Sequence, residues 1–205
     1  MPKKDNGGFA RKAALRLHVV KSLRPAMILE THGGLGKLYQ SCYEWLGAGG
    51  VVFETDARKS PVLARQRPTW RVYETAADVA IANGVVADVP FDLVDLDPYG
   101  DPWSTLIPFF ERHRVWPETL GVVVNDGNCT GKVRLSGGWD QESIAPMARK
   151  WGRDLFEYYI DACAWYLQEL AGPVGYTVTN WAGYKTGYNA NMAHYAAILT
   201  RTGAA

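Results

Sequence analysis

What this chain has little of narrows its possibilities first. Its three cysteines, Cys42, Cys129 and Cys163, are odd in number and widely spaced, which argues against a disulfide framework or a cysteine metal knuckle and fits a reducing, cytoplasmic setting. Its four histidines, His18, His32, His113 and His194, share no ligand spacing, so no zinc site is expected. No apolar run approaches the length of a membrane span. Near the start, Lys3 and Lys4 are followed by Asp5 and glycines rather than by the apolar stretch of a secretory leader. Internal repeats, low-complexity tracts and linkers are missing. Excess charge is scarce as well, with 22 Lys and Arg against 21 Asp and Glu.

Phosphate-binding fingerprints also fail. Gly36-Lys37 is followed by Leu38, and the run Gly127 to Lys132 is one residue short and leads into Val133, where a P-loop needs a hydroxyl. A nicotinamide fingerprint started at Gly34 fits at Gly36 and fails at Tyr39.

What is present is a chain of 205 residues, long enough for one domain with a substantial core, and rich in aromatics, with eight Trp and eleven Tyr. Charge is uneven at the N-terminus, where Lys3, Lys4, Arg11, Lys12, Arg16, Lys21 and Arg24 face only Asp5 and Glu30. That basic segment suits phosphates or an acidic surface, or is a solvated helix face. Phe9, Ala13, Leu17 and Val20 recur at helical spacing, bordered by Lys12, Arg16 and Lys21, and Pro25 ends the helix.

A strand over 26–30 then runs into Thr31-His32-Gly33-Gly34-Leu35-Gly36, and a helix is expected over 37–46. This strand, glycine turn and helix form a unit of the kind that binds an adenosine-containing cofactor, because glycines let the backbone bend and approach the ligand. A second strand over 50–56 ends at Glu54 and Asp56, where a carboxylate can accept ribose hydroxyls. A helix to about Arg67, a third strand over 69–74 and a short helix around 78–82 follow. Glu74 and Asp78 are both candidates for a contact to an adenine amino group, and the sequence does not separate them.

The stretch Phe91-Asp92-Leu93-Val94-Asp95-Leu96-Asp97-Pro98-Tyr99-Gly100 is the most informative. Its apolar strand stops at Pro98, which cannot donate to a ladder. An acid, a proline and an aromatic at a strand tip suit a planar ring with an exocyclic amino group. Asp97 and a carbonyl at Pro98 can accept the amino hydrogens, while Tyr99 stacks on the ring and Gly100 closes the turn. The plain alternative is a strand ending in an Asp-Pro turn. A helix over 103–112 and a fifth strand over 120–125 come next, then a polar, glycine-rich connection over 126–146. One long amphipathic helix is expected over 147–170, followed by strands over 175–181 and 192–201 that read as an antiparallel pair. Between these strands Trp181, Tyr184, Lys185, Tyr188 and Asn189 interleave aromatics with a base, as in nucleic-acid contacts or in ordinary hairpin packing.

Five βα units and a terminal antiparallel pair resemble the class I S-adenosylmethionine-dependent methyltransferases over nearly the whole chain. The expected fold is therefore a Rossmann-like α/β domain with a seven-stranded, mostly parallel sheet. Glu30, Gly34 and Gly36 match that family's first motif, with His32 at the position of its first glycine. Glu54 and Asp56 match its acidic second strand, and the run resembles the rRNA adenine dimethyltransferases, which favours Glu54 as the ribose ligand. Asp97-Pro98-Tyr99-Gly100 is similar to the fourth motif of tRNA guanine-N2 dimethyltransferases and of other amino-methyltransferases. No cysteine follows a proline, unlike in the carbon-methylating DNA enzymes. The resemblance implies S-adenosylmethionine as cofactor and Asp97, Pro98 and Tyr99 as the catalytic group. A nucleic-acid base is the implied acceptor, with Gly100, Tyr184, Lys185 and Tyr188 on the substrate side. No extra tRNA-reading segment is evident, so a protein partner for recognition is conceivable. A protein or small-molecule acceptor, or a non-catalytic binder, are the alternatives.

Overall fold

The computed structural model describes residues 8–98, 100–128, 133–186 and 192–202. The chain forms β1 (Met27–Glu30), β2 (Gly49–Phe53), β3 (Trp70–Tyr73), β4 (Leu93–Leu96), β5 (Thr119–Asp126), β6 (Tyr176–Thr186) and β7 (Met192–Arg201). The helices are α1 (Phe9–Leu23), α2 (Lys37–Cys42), α3 (Ser60–Gln66), α4 (Ala77–Ala82), α5 (Trp103–Arg112), α6 (Ala145–Trp151) and α7 (Tyr159–Ala171). The strands make one seven-stranded sheet in the order β3-β2-β1-β4-β5-β7-β6. β1 to β5 are parallel, β7 runs antiparallel to β5, and β6 antiparallel to β7. The order reverses between β1 and β4, and a crevice opens beyond the carboxyl ends of the strands at such a switch point.

The pleat distributes side chains between two cores. Leu29, Val51, Val94, Leu96, Val122 and Val124 pack with residues of α4 to α7 on one face. Ile28, Val52, Leu93 and Val123 pack with α1, α2 and α3 on the other. With a period of two, Asp95 and Asp97 continue the row begun by Leu93 and so face α1. Gly121 in β5 belongs to the same row. A Cβ there would stand 2.7 Å from Val19 Cγ1 and 2.9 Å from Leu23 Cδ1, so only a glycine lets α1 lie this close to the sheet.

Three expectations change. The long helix over 147–170 is two helices, because Gly152 takes φ 56 and ψ −126, outside any helical conformation. The helix from Lys37 ends at Cys42 and passes into a tighter turn over Glu44–Leu46. The basic border of α1 is solvated only in part, for Lys21 is exposed whereas Arg16 and Lys12 turn to the sheet. Arg16 is fully buried, and its Nε and Nη2 donate to Asp95 Oδ2 and Oδ1 at 2.7 and 2.6 Å. Tyr43 adds its hydroxyl to Asp95 Oδ2 at 2.7 Å. One helical turn earlier, Lys12 Nζ donates to Asp97 Oδ1 at 3.0 Å. No described helix is long and apolar enough to cross a membrane.

Breaking a buried ion pair from one side leaves an uncompensated charge. Arg16→Met should therefore lower stability by roughly 3–5 kcal/mol in urea unfolding, and adding Asp95→Asn should recover much of that loss.

Candidate active site

The glycine turn after β1 is built by two constraints. Gly33 packs against the sheet, where a Cβ would stand 2.5 Å from Leu63 Cδ1 and 2.7 Å from Val52 Cγ2. Gly34 and Gly36 take φ of 54 and 75, a region that disfavours a side chain. His32 stays out of that region, so its substitution for the motif's first glycine needs no unusual backbone angle. Glu54 at the tip of β2 holds the turn, with Oε2 accepting the Gly34 N–H at 2.8 Å and Oε1 that of Asp56 at 2.9 Å.

Two adjoining cavities meet at His32. The larger, of about 310 Å³, is bordered by Phe9 and Lys12 of α1, by Glu30, by the turn through Gly33 and Gly34, and by Asp97. The smaller, of about 140 Å³, is bordered by Glu54, Thr75, Asp78 and Ser104. Asp78 stands at the start of α4, its Oδ1 accepting the Val79 N–H at 2.9 Å. Glu74 is exposed and borders neither cavity. Asp56 turns to Arg58, whose Nε and Nη2 both lie 2.9 Å away and lower its pKa to about 2. Glu30 borders the larger cavity but is only 2% exposed, and its Oε2 accepts from Arg67 Nη1. Burial raises its pKa to about 7 against the pull of Arg67. Gly36 opens α2 beside this turn and borders neither cavity.

Asp97 lies just past β4. Burial disfavours its charge, but Arg16, Lys12 and a hydrogen bond from Asn125 Nδ2 outweigh that and hold its pKa below the usual carboxylate range. Lys12 and Asn125 both bind Oδ1, and no hydrogen bond from the described residues reaches Oδ2. Asn125 Oδ1 in turn meets His194 Nδ1 at 2.7 Å. Pro98 is buried. Gly100 is drawn against the tip of β5, its carbonyl accepting the Gly127 N–H at 2.9 Å. Tyr99 and Tyr188 lie outside the described residues.

The described hairpin residues Tyr184 and Lys185 are not brought to these cavities. Tyr184 borders a separate apolar groove with Arg11, Ala14 and His18. Lys185 Nζ donates to the carbonyls of Phe156 and, at 2.9 Å, Glu157. Phe9, Lys12 and His194 carry no sequence motif that marks them as contacts to this site, whereas Asn125, at the end of the fifth strand, lies in a segment expected to border it. For Lys12 a signal existed: Lys12 and Arg16 stand four apart on a helix, and Asp97 and Asp95 two apart on a strand. No cluster of residues suited to a metal ion occurs among the described residues.

Beneath the site, Asp126 is fully buried and accepts from the Asn128 N–H at 2.8 Å, Tyr159 at 2.9 Å, and Trp103 and Tyr195 at 3.2 Å. Burial nevertheless raises its pKa from 3.8 to about 7. The folded protein thus retains a proton that the unfolded chain releases, so this group's contribution is complete at low pH and declines as pH rises. Asp126→Asn should flatten the stability–pH curve between about pH 4 and 7 relative to wild type, as read by urea unfolding at a series of pH values.

No protein-family model and no curated protein sequence matches the chain. Solved structures do. Trm1 from Pyrococcus horikoshii, with S-adenosyl-L-methionine, superposes with a TM-score of 0.67 at 14% identity, over 94% of this chain and 54% of that one. TYW2 from M. jannaschii, in complex with AdoMet, gives 0.60 at 11% identity, over 98% and 79%. The N-methyltransferase NodS from Bradyrhizobium japonicum WM9, in complex with S-adenosyl-L-homocysteine, gives 0.57 at 11% identity, over 98% and 90%. This chain spans about half the length of Trm1 and most of NodS. The strand order, the antiparallel β6–β7 pair and these superpositions together identify the Rossmann-like fold of class I S-adenosylmethionine-dependent methyltransferases.

Proposed function

We propose that this chain transfers a methyl group from S-adenosylmethionine to an exocyclic amino group of a nucleic-acid base. The observation that carries the reading is the Asp97 carboxylate. It lies at the tip of β4 on the wall of a cavity shared with the glycine turn, and its Oδ2 carries no described hydrogen bond.

The residues fit the cofactor. Glu54 borders the smaller cavity and would accept ribose hydroxyls while its two backbone bonds keep it in position. Asp78, rather than the exposed Glu74, would accept from the adenine amino group. Gly34 has nothing within 4 Å of a hypothetical Cβ, which leaves its backbone open to a ligand in the larger cavity. Lys12, Lys37 and Lys59 border that cavity and would balance a carboxylate or nucleic-acid phosphates at its mouth. When bound, the cofactor supplies an electrophilic sulfonium methyl.

This chain's own residues do the rest. Asp97 Oδ2 would accept an amino hydrogen of the base, orient the nitrogen lone pair and take up the released proton. Pro98, with no N–H, offers no competing donor at that corner. Tyr99 would stack on the base. A base held in a duplex would first have to be flipped out, at a cost of a few kcal/mol. A second reading, an aliphatic amine as acceptor, is favoured by one contact: Lys12 Nζ already rests on Asp97 Oδ1 at 3.0 Å.

The test is transfer of a radiolabelled methyl group to host DNA, RNA and protein, followed by separate nuclease and protease digestion. Label should be released by one nuclease. Because Lys12 and Asn125 both donate to one oxygen, an amide at position 97 would turn its carbonyl toward them and its NH₂ toward the acceptor. Asp97→Asn should therefore lower kcat about 10²–10⁴-fold, the span of general acid–base effects, with the cofactor Kd unchanged. Label released only by protease would overturn the base reading and favour an amine acceptor.

A further inference from the structure

We infer that Asn125 and His194 form a positioning pair that sets the orientation of the Asp97 carboxylate and leaves Oδ2 turned toward the acceptor. The inference rests on the methyltransferase reading for its purpose, and on geometry alone for its existence.

Asp97, Asn125, His194 and Tyr184 follow one another across four adjacent strands. β4 pairs with β5, Asn125 stands opposite His194 in the β5–β7 ladder, and Tyr184 opposite His194 in the β6–β7 ladder. Ala196 and Val123, two residues from His194 and Asn125, pack in the core beneath α1, so the pleat turns these polar side chains to the same face as Asp97. Asn125 is fully buried and His194 is 1% exposed. Two polar side chains so deeply buried beside a site call for a function or a structural reason.

The hydrogen-bond sense of the chain is determined at one end. An ionised carboxylate only accepts, so Asn125 must present Nδ2 to Asp97 Oδ1. Its Oδ1 is then an acceptor, and His194 must carry its proton on Nδ1, 2.7 Å away. A neutral imidazole is what this location favours, because burial and the charge of Lys12 lower the His194 pKa to about 4. The titratable groups facing the pair are Lys12 and Arg16 from α1, Asp97 just past β4, and Tyr184 from β6, whose ring centroid lies 5.2 Å from that of His194. Without His194 the buried Asn125 Oδ1 would lose its partner, and the amide would no longer be held in place and could swing away from the carboxylate. The carboxylate would then lose one of the two donors that engage Oδ1, and Oδ2 would no longer be the preferred acceptor for the base.

Three measurements test this. In wild-type protein, ¹⁵N NMR of His194 should show the Nδ1–H tautomer at neutral pH. The Nε2–H tautomer or a charged ring would overturn the inference, and no variant needs to fold for that result. The Asp97 carboxyl, assigned by its loss in Asp97→Asn, should titrate about one pH unit higher in His194→Leu. In His194→Asn, whose amide can present an N–H near the position of Nδ1, it should stay close to wild type. Methyl transfer should follow the same order: kcat should fall about tenfold in His194→Leu with cofactor Kd unchanged, and most of it should return in His194→Asn. Equal behaviour of the Leu and Asn variants in the titration would reduce His194 to a packing residue and sink the proposal. If the wild type transfers no methyl group to any acceptor, the functional reading fails by itself, and the tautomer and the titration still decide the orientation of Asp97.

Discussion

The buried pair between Arg16 and Asp95 is the constraint on which the rest of the site depends. Its two parallel hydrogen bonds attach α1 to the central strand of the sheet, and the Tyr43 hydroxyl supplies a further donor. The match extends by one step. Four residues of helix rise about 6 Å, and two residues of strand about 6.6 Å, so a helix carrying Lys12 and Arg16 sets both cations over Asp97 and Asp95. The pair therefore does more than hold a helix. It brings Lys12 and Phe9 to the mouth of the crevice and makes α1 a wall of the larger cavity.

Charges buried this deeply are costly unless every lone pair and proton finds a partner. Asp95 comes close to that condition, with three donors on its two oxygens. Glu30 is less fully provided for, and its partner Arg67 lies over the rings of Tyr39 and Trp70 at 4.4 and 5.1 Å from their centroids. The carboxylates at the strand tips differ in kind. Glu54 is engaged by the backbone N–H groups of Gly34 in the glycine turn and of Asp56 just past β2, and Asp97 by side chains on one oxygen only. That asymmetry makes Asp97 suited to a reacting group and Glu54 to a rigid ligand.

Much of this was legible in the chain. The apolar runs ending in acids or glycine marked the tips of β1, β2 and β4, because a parallel strand buried on both faces must be apolar until it reaches the crevice. The bounds of α1, α5 and β7 agree closely with the periodicity. The helix expected over 147–170 failed because periodicity reports which face is buried and is blind to a backbone break at Gly152. Glu74 and Asp78 could not be separated, since both follow β3 by a few residues and only the packing of α4 turns one of them to the cavity.

By itself, the sequence determined the α/β alternation, the glycine turn, the acids at the strand ends and the Asp-Pro corner, all of which are local patterns of burial, backbone freedom and missing donors. Only the tertiary structure decided which of those acids face the crevice, that Lys12 and Arg16 belong to Asp97 and Asp95, and that Asn125 and His194 stand behind the carboxylate. Those partners lie 28 to 85 residues apart along the chain, and a hydrogen bond at such separation exists only once sheet register and helix docking have fixed both of its ends.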